Sequence, residues 1–108
     1  MIPTEYEEQV AFVKWLELRG YTFTAIPNST YTTSYNQKRR NHAMGLRAGL
    51  PDLLVIANDR LVFVEMKRIK GSVTSKEQKQ WIEKLNNINI PARVCKGAHE
   101  AIKFIQEI

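Results

Sequence analysis

The chain has 108 residues, of which 44% are hydrophobic and 25% are charged, and this favours one globular domain spanning residues 1–108. Its net charge of +5 and pI near 9.5 indicate either a polyanionic partner such as nucleic acid or a charge that serves solubility alone. One cysteine, Cys95, excludes an internal disulfide and a cysteine-based zinc cluster. There is no signal-peptide pattern and no apolar run of the ~20 residues that a membrane span needs, so we expect a cytoplasmic protein.

Capping and turn residues divide the chain into short helices and strands. The predicted elements are a helix from Thr4 to near Gly20, a strand over 21–26, a flexible loop over 29–36, a short helix over 37–47, strands over 53–57 and 60–67, a helix from Thr74 or Ser75 to about Asn87, a strand over 92–95 and a helix from Gly97. This order predicts an α/β fold with a small mixed central sheet flanked by helices. Cys95 lies in a predicted strand, which favours a buried structural thiol.

The two central strands form a predicted hairpin whose turn sets the register. If Asn58-Asp59 is a two-residue turn, Ala57 faces Arg60 and paired residue numbers sum to 117. Asp52 then lies opposite Glu65, with Cβ atoms about 5 Å apart, and Lys67 shares their face. The sequence therefore predicts two carboxylates and an ammonium group together at one end of the hairpin.

Both faces of this hairpin are apolar beyond the charged end, so both are expected to be covered. One face carries Leu54, Ile56, Leu61 and Phe63, and the other carries Leu53, Val55, Ala57, Val62 and Val64. Charged groups beside such a face are unfavourable unless they are paired or bound to a metal. The residues alone leave two interpretations open: a divalent cation between the carboxylates, or an ion pair of Lys67 with Glu65 or Asp52.

Six ordered motifs in the chain resemble a known family. Gly49-Leu50-Pro51-Asp52 followed by Val64-Glu65-Met66-Lys67 resembles the P-D…E-x-K signature of PD-(D/E)XK nucleases. More narrowly, the chain resembles a stand-alone VRR-NUC domain, of the kind found in bacteriophages and at the end of larger DNA-repair nucleases. The other motifs are Glu5-x-x-x-Gln9, Ile26-Pro27-Asn28, Thr74-Ser75-x-x-Gln78-x-x-Trp81 and the closing strand and helix.

This resemblance implies an α-β-β-β-α-β core and hydrolysis of DNA phosphodiesters with Mg²⁺ or Mn²⁺. Asp52 and Glu65 would be metal ligands, with the Met66 carbonyl as a further one, and Lys67 would orient the water or stabilise the phosphate. The resemblance also implies a homodimer that acts on branched DNA like a Holliday-junction resolvase, in a bacterium or phage-infected cell. A flap, nicking or restriction-like nuclease is the alternative within the same class, and a catalytically silent DNA-binding module is the alternative outside it.

Two helices carry the residues expected to complete the site. Glu5 shares a helix face with Gln9, Phe12 and Leu16, and the family motif favours it as the helix carboxylate; Glu8 is the substitute. Either glutamate could instead be a partner of the helix dipole. Gln78 matches the family glutamine and is expected to hydrogen-bond the water or phosphate, whereas Trp81 is expected in the core.

The basic segment that precedes the hairpin is the predicted DNA-binding surface. It contains Lys38, Arg39, Arg40 and Arg47 and no acidic residue, so these side chains are expected to contact phosphates. A solvated basic face is the alternative. Tyr31 and Tyr35 are candidates for stacking on unpaired bases.

Overall fold

The computed structural model of the chain describes residues 1–27 and 32–108. The elements follow the predicted order. They are α1 (Glu5–Leu18), β1 (Thr22–Ala25), α2 (Tyr35–Ala43), β2 (Leu53–Ala57), β3 (Arg60–Lys67), α3 (Lys76–Asn87), β4 (Ala92–Lys96) and α4 (Ala98–Gln106). The predicted α/β class, with a mixed sheet flanked by helices, is confirmed.

The sheet has the strand order β1-β2-β3-β4. β1, β2 and β3 pair antiparallel, and β4 joins β3 in parallel. This parallel pairing follows from the chain order, because α3 crosses between β3 and β4 as the connection that parallel strands need. β3 is therefore a central strand, and its carboxyl end lies beside the carboxyl end of β4.

Local sequence explains where three helices begin. Thr4 and Glu7 form the predicted capping box at α1, and Ser75 with Gln78 forms one at α3, so Ser75 rather than Thr74 is the cap. The prediction for α2 was wrong at both ends. Ser34 accepts a hydrogen bond from the Gln37 amide and starts this helix earlier, and the helix ends before Gly45.

The core lies on one face of the sheet, beneath α1 and α4. The residues fully or almost fully buried there are Phe12, Leu16, Leu53, Val55, Val62, Val64, Met66, Cys95, Ala101 and Ile105. Cys95 is thus the buried structural thiol that the sequence predicted, and burial raises its pKa to about 12.

The other face of the hairpin is not covered as predicted. Ile56 and Leu61 are 47% and 40% exposed, and Leu54 and Phe63 are half-buried. The expectation that both faces are covered was therefore wrong for the single chain. The reason is topological, since α1 and α4 both pack on the opposite face. No helix in the described part of the chain is long and apolar enough to cross a membrane.

Candidate active site

The hairpin has the predicted register. Its ladder runs from Ala57–Arg60 to Leu53–Val64, and Asn58 and Asp59 have φ of 51° and 61°, the conformation that a type I′ turn requires. One further step along the ladder brings Asp52 opposite Glu65. The Met66 amide donates to Asp52 Oδ2 at 2.8 Å, which fixes the Asp52 carboxylate against β3.

Glu65 is the buried member of the pair. Its residue surface is 3% exposed, and its Oε2 accepts a hydrogen bond of 2.8 Å from Gln78 Nε2 on α3. Lys67 Nζ lies 3.7 Å from the same oxygen. Glu65 Oε1 is buried and has no hydrogen-bond partner in the described part of the chain. The two oxygens of this carboxylate therefore differ, since Gln78 and Lys67 both approach Oε2.

The electrostatic surroundings of Glu65 disfavour its charge. Burial is the largest cause that raises its pKa, the nearby Asp52 charge raises it as well, and the Lys67 ammonium lowers it; together these effects bring the pKa from 4.5 to about 8. Because Lys67 does not offset the first two effects, an ion pair with Lys67 is an incomplete account of the cluster. A further positive group could bind here, because Lys67 does not offset the negative charge of the two carboxylates and Glu65 Oε1 has no hydrogen-bond partner among the described residues.

A divalent cation fits this description. Its donors would be the Asp52 and Glu65 carboxylates and the Met66 carbonyl, a set of hard oxygen ligands that suits Mg²⁺ or Mn²⁺. No cluster of three His, Cys, Asp or Glu side chains forms among residues 1–27 and 32–108. A cation here would take its remaining ligands from water or substrate, as Mg²⁺ usually does.

The structure separates the two helix glutamates. The buried face of α1 contains Glu8, Phe12 and Leu16. Phe12 and Leu16 share a face as predicted, but the first-turn residue on that face is Glu8 and not Glu5. Glu8 Oε1 accepts a hydrogen bond of 3.0 Å from the Ala98 amide at the start of α4. Glu5 is exposed, and its charge adds a minor upward effect to the pKa of Glu65. The helix carboxylate near the site is thus Glu5, whereas Glu8 caps α4.

Gln78 is placed at the site, but its amide is already bonded at both ends. Nε2 donates to Glu65, and Oε1 accepts from the Ser75 amide at 2.9 Å. A hydrogen bond from Gln78 to water or phosphate would compete with these two. The direct contact that this structure supports is between Gln78 and Glu65.

The basic residues lie on two segments. Lys38, Arg39 and Arg40 are exposed on α2, a helix without a buried residue. Arg47 lies beyond the end of α2, where its guanidinium donates to the carbonyls of His42 and Leu46. All four are exposed, and the segment 18–51 has no acidic residue, which keeps this surface positive.

The aromatic predictions had mixed outcomes. Tyr35 is exposed, with the Arg39 guanidinium 5.8 Å from its ring centre, so stacking on a base stays a prediction. Tyr31, and with it the first part of the loop predicted over 29–36, lies outside the described residues, as does Asn28.

Trp81 is half-buried rather than in the main core, and its indole N–H donates to the Ala48 carbonyl at 3.0 Å. No sequence pattern indicates that last contact, because the partner is a backbone carbonyl 33 residues away.

Comparisons with known proteins identify a family and agree with this fold. The family model described as "VRR-NUC domain" matches residues 3–99. A solved structure titled "VRR_NUC domain protein" is similar over 98% of this chain and 88% of its own, with a TM-score of 0.75 and 28% sequence identity. No curated protein matched the chain.

Proposed function

Because the chain belongs to the VRR-NUC domain family, whose members are nuclease-type domains, we propose that it is a Mg²⁺- or Mn²⁺-dependent endonuclease acting on DNA. The observation that carries the proposal is the Asp52–Glu65 pair. Glu65 is buried, has a pKa near 8, and has one oxygen without a hydrogen-bond partner in the described part of the chain; Lys67 Nζ lies 3.7 Å from its other oxygen. A buried carboxylate whose pKa is raised in this way, beside a second carboxylate, is typical of a functional site, and a bound cation would favour the charged form of both groups.

Each residue of the site has a proposed task. Asp52, Glu65 and the Met66 carbonyl would hold the cation, and Gln78 would orient Glu65. When bound, the cation supplies a Lewis acid that activates water and offsets the charge developing on the phosphate. Lys67 would donate to the attacking water or to a phosphate oxygen, because its side chain is 12% exposed and its ammonium lies beside Glu65. Glu5 would add a carboxylate at the outer edge of the site.

The test is nicking of supercoiled plasmid with Mg²⁺, with Mn²⁺ and with EDTA. We expect cleavage with either cation, none with EDTA, and none by Asp52→Asn, which should still bind DNA. Asp59→Asn is the matched control, because it makes the same change in the exposed turn of the same hairpin. Near wild-type cleavage by Asp52→Asn would contradict the proposal and leave a DNA-binding module as the better interpretation.

We also propose that two copies of the chain associate through the open face of the hairpin. Leu54, Ile56, Leu61 and Phe63 are uncharged, so this part of the face offers no cation to DNA phosphates. The charged end of the same face, with Glu65 and Lys67, begins beyond Phe63. Strands that are apolar on both faces are typical of a sheet covered on both sides. A second copy supplies the same apolar surface and so satisfies the self-complementarity of a twofold interface.

The molecular mass of the protein in solution tests this interface. Ile56→Glu is expected to convert a dimer into a monomer, whereas Ile88→Glu, at another exposed isoleucine, is expected to leave the mass unchanged. A monomeric wild-type chain at micromolar concentration, or a dimeric Ile56→Glu variant, would contradict the assignment of this face.

A dimer would present two sites related by a twofold axis, which suits a substrate with two equivalent cleavage points. We therefore propose that branched DNA is the preferred substrate and that four-way junctions are cleaved fastest. The exposed cations of α2 would contact its phosphates. A panel of four-way junctions, flaps, nicked and intact duplex tests this preference. Faster cleavage of flaps or duplex than of junctions would overturn it in favour of a flap, nicking or restriction-like enzyme.

A further inference from the structure

We propose that Gly49 and Trp81 are positioning residues that join the loop before Asp52 to helix α3, and that this contact holds Gln78 against Glu65. The proposal rests on the function proposed above and deepens it. Neither residue is assigned a contact with substrate. Both would act through Gln78, which bonds the buried carboxylate at 2.8 Å.

The first observation is how closely the loop approaches the helix. A Cβ built on Gly49 would lie 2.6 Å from the Glu77 carbonyl carbon, 2.7 Å from the Glu77 oxygen and 2.8 Å from the Gln78 nitrogen. These are backbone atoms of the first turn of α3, so they cannot move aside without moving the helix. Gly49 also has φ of +99°, which an L side chain rarely adopts. The position therefore requires glycine for contact as well as for conformation.

The second observation is a hydrogen bond between the same two segments. Trp81, one turn further along α3, donates its indole N–H to the Ala48 carbonyl at 3.0 Å. Gly49 thus sets how near the loop can come, and Trp81 fixes where along the helix it lies. Ala48 and Gly49, which make these contacts, lie within four residues of Asp52 in the chain. The Asp52 carboxylate is itself held by the Met66 amide.

Gln78 transmits this placement to the site. Its Oε1 accepts from the backbone N–H of Ser75, and the Ser75 hydroxyl accepts from the backbone N–H of Gln78 at 3.1 Å. These two bonds hold the Gln78 side chain at the start of α3. Its Nε2 donates to Glu65 from this position of the helix. A shift of the first turn by about 1 Å would break that bond, and displacements of this size can reduce turnover about 100-fold.

The chain offers matched controls. Gly45 has φ of +100°, almost the same as Gly49, but a Cβ added to it would have no described atom within 4 Å. Gly45→Ala therefore imposes the backbone strain of Gly49→Ala without the collision. Trp15→Phe, in α1, is the control for Trp81→Phe, which keeps an aromatic ring and removes the N–H donor.

The primary readout is the side-chain amide signal of Gln78 in NMR spectra of the ¹⁵N-labelled chain in EDTA, assigned by its disappearance in Gln78→Glu. We expect Gly49→Ala and Trp81→Phe to move this signal toward the position of a free amide, and Gly45→Ala and Trp15→Phe to leave it in place. Where cleavage is measurable, kcat should fall about 100-fold for Gly49→Ala and about fivefold for Trp81→Phe, with KM for DNA unchanged.

The outcomes separate this proposal from the proposed function. An unmoved Gln78 signal in folded Gly49→Ala overturns the positioning role, whether or not the chain cleaves DNA. A wild-type chain that does not cleave removes the proposed function, while the amide signal still decides on the contact between loop and helix. Equal shifts in Gly45→Ala and Gly49→Ala would attribute the effect to backbone strain and also overturn the proposal.

Discussion

Two buried glutamates of this chain have contrasting surroundings. Glu8 is 8% exposed and accepts a backbone N–H at the start of α4, where the helix dipole favours a negative charge. Glu65 is 3% exposed and faces Asp52, a second carboxylate. Each has one oxygen without a hydrogen-bond partner among the described residues. Burial alone therefore does not mark a site; the groups that face the carboxylate decide its role.

The largest expected difference between the two is in catalysis. Glu65→Gln should reduce metal-dependent cleavage by about 1,000-fold or more, because a lost Lewis-acid contribution is several kcal/mol and each ~1.4 kcal/mol is a factor of ten in rate. Glu8→Gln makes the same change at a carboxylate that accepts from the Ala98 amide, and it should leave kcat within about twofold of wild type, allowing for assay scatter. Single-turnover cleavage at saturating Mg²⁺ measures both. Equal losses would remove the distinction between the two glutamates.

Lys67→Ala is expected to have the next largest effect. Loss of a cationic donor at the phosphate should lower kcat by about 100-fold. The affinity for Mn²⁺ should stay close to that of wild type, because an ammonium cannot be a metal ligand. Rate measurements and calorimetry on the same preparation separate the two quantities. A large loss of Mn²⁺ affinity would indicate that Lys67 organises the carboxylates rather than the reaction.

The stability of the metal-free chain should depend on pH through Glu65. Its pKa is about 8 in the folded chain against a usual value of 4.5, so the folded state holds the proton more tightly. This contribution to stability is therefore lost as pH rises from about 4.5 to 8. Glu65→Gln should be more stable than wild type at pH 8, by about 1–2 kcal/mol after allowance for solvent screening, and nearly equal to it at pH 4.5.

Thermal unfolding in EDTA at the two pH values tests this prediction. Glu8→Gln is the control and should be less stable than wild type, by about 0.5–1 kcal/mol, since it removes a charge from a helix N-terminus. A Glu65→Gln variant that is destabilised at pH 8 would mean that Lys67 and Gln78 together satisfy the ionised carboxylate.

The smallest expected effect concerns DNA affinity. Replacing Arg39 and Arg40 with Gln should reduce the slope of log affinity against log salt by about 1–2, since each phosphate contact contributes ~0.9. Cleavage at saturating DNA should persist. Lys103→Gln, an exposed cation on α4, is the control and should change neither quantity. An unchanged slope for the double variant would indicate that the cations of α2 form a solvated basic face and do not contact DNA.

Sequence predicted those parts of the site that depend on local rules. The two-residue turn at Asn58-Asp59 sets the hairpin register, and the register brings Asp52 opposite Glu65. The capping box predicted at Thr4 fixed the start of α1 in the same way, and the start of α3 was predicted to within one residue, at Thr74 or Ser75. These features depend on residues close in the chain, where turn and cap chemistry is restrictive.

Features that depend on packing between distant elements were not predictable in this way. Glu8 and Ala98 meet across 90 residues, although Gly97, which has no side chain to cap α4, was a signal that an external acceptor was needed. The open face around Ile56 and Leu61 is as apolar as the covered one, so composition could not distinguish them. Which face α1 and α4 cover is decided by the topology of the whole sheet.

Whether the Asp52–Glu65 pair binds a cation is decided by calorimetric titration of the metal-free chain with Mn²⁺. We predict binding to wild type and to Glu8→Gln, and loss of binding in Asp52→Asn and Glu65→Gln. Binding near pH 7 should also release protons, because the cation displaces the proton that Glu65 holds with its pKa near 8. Binding of equal strength in Glu65→Gln, or no binding to wild type at millimolar Mn²⁺, would contradict a cation site at the Asp52–Glu65 pair.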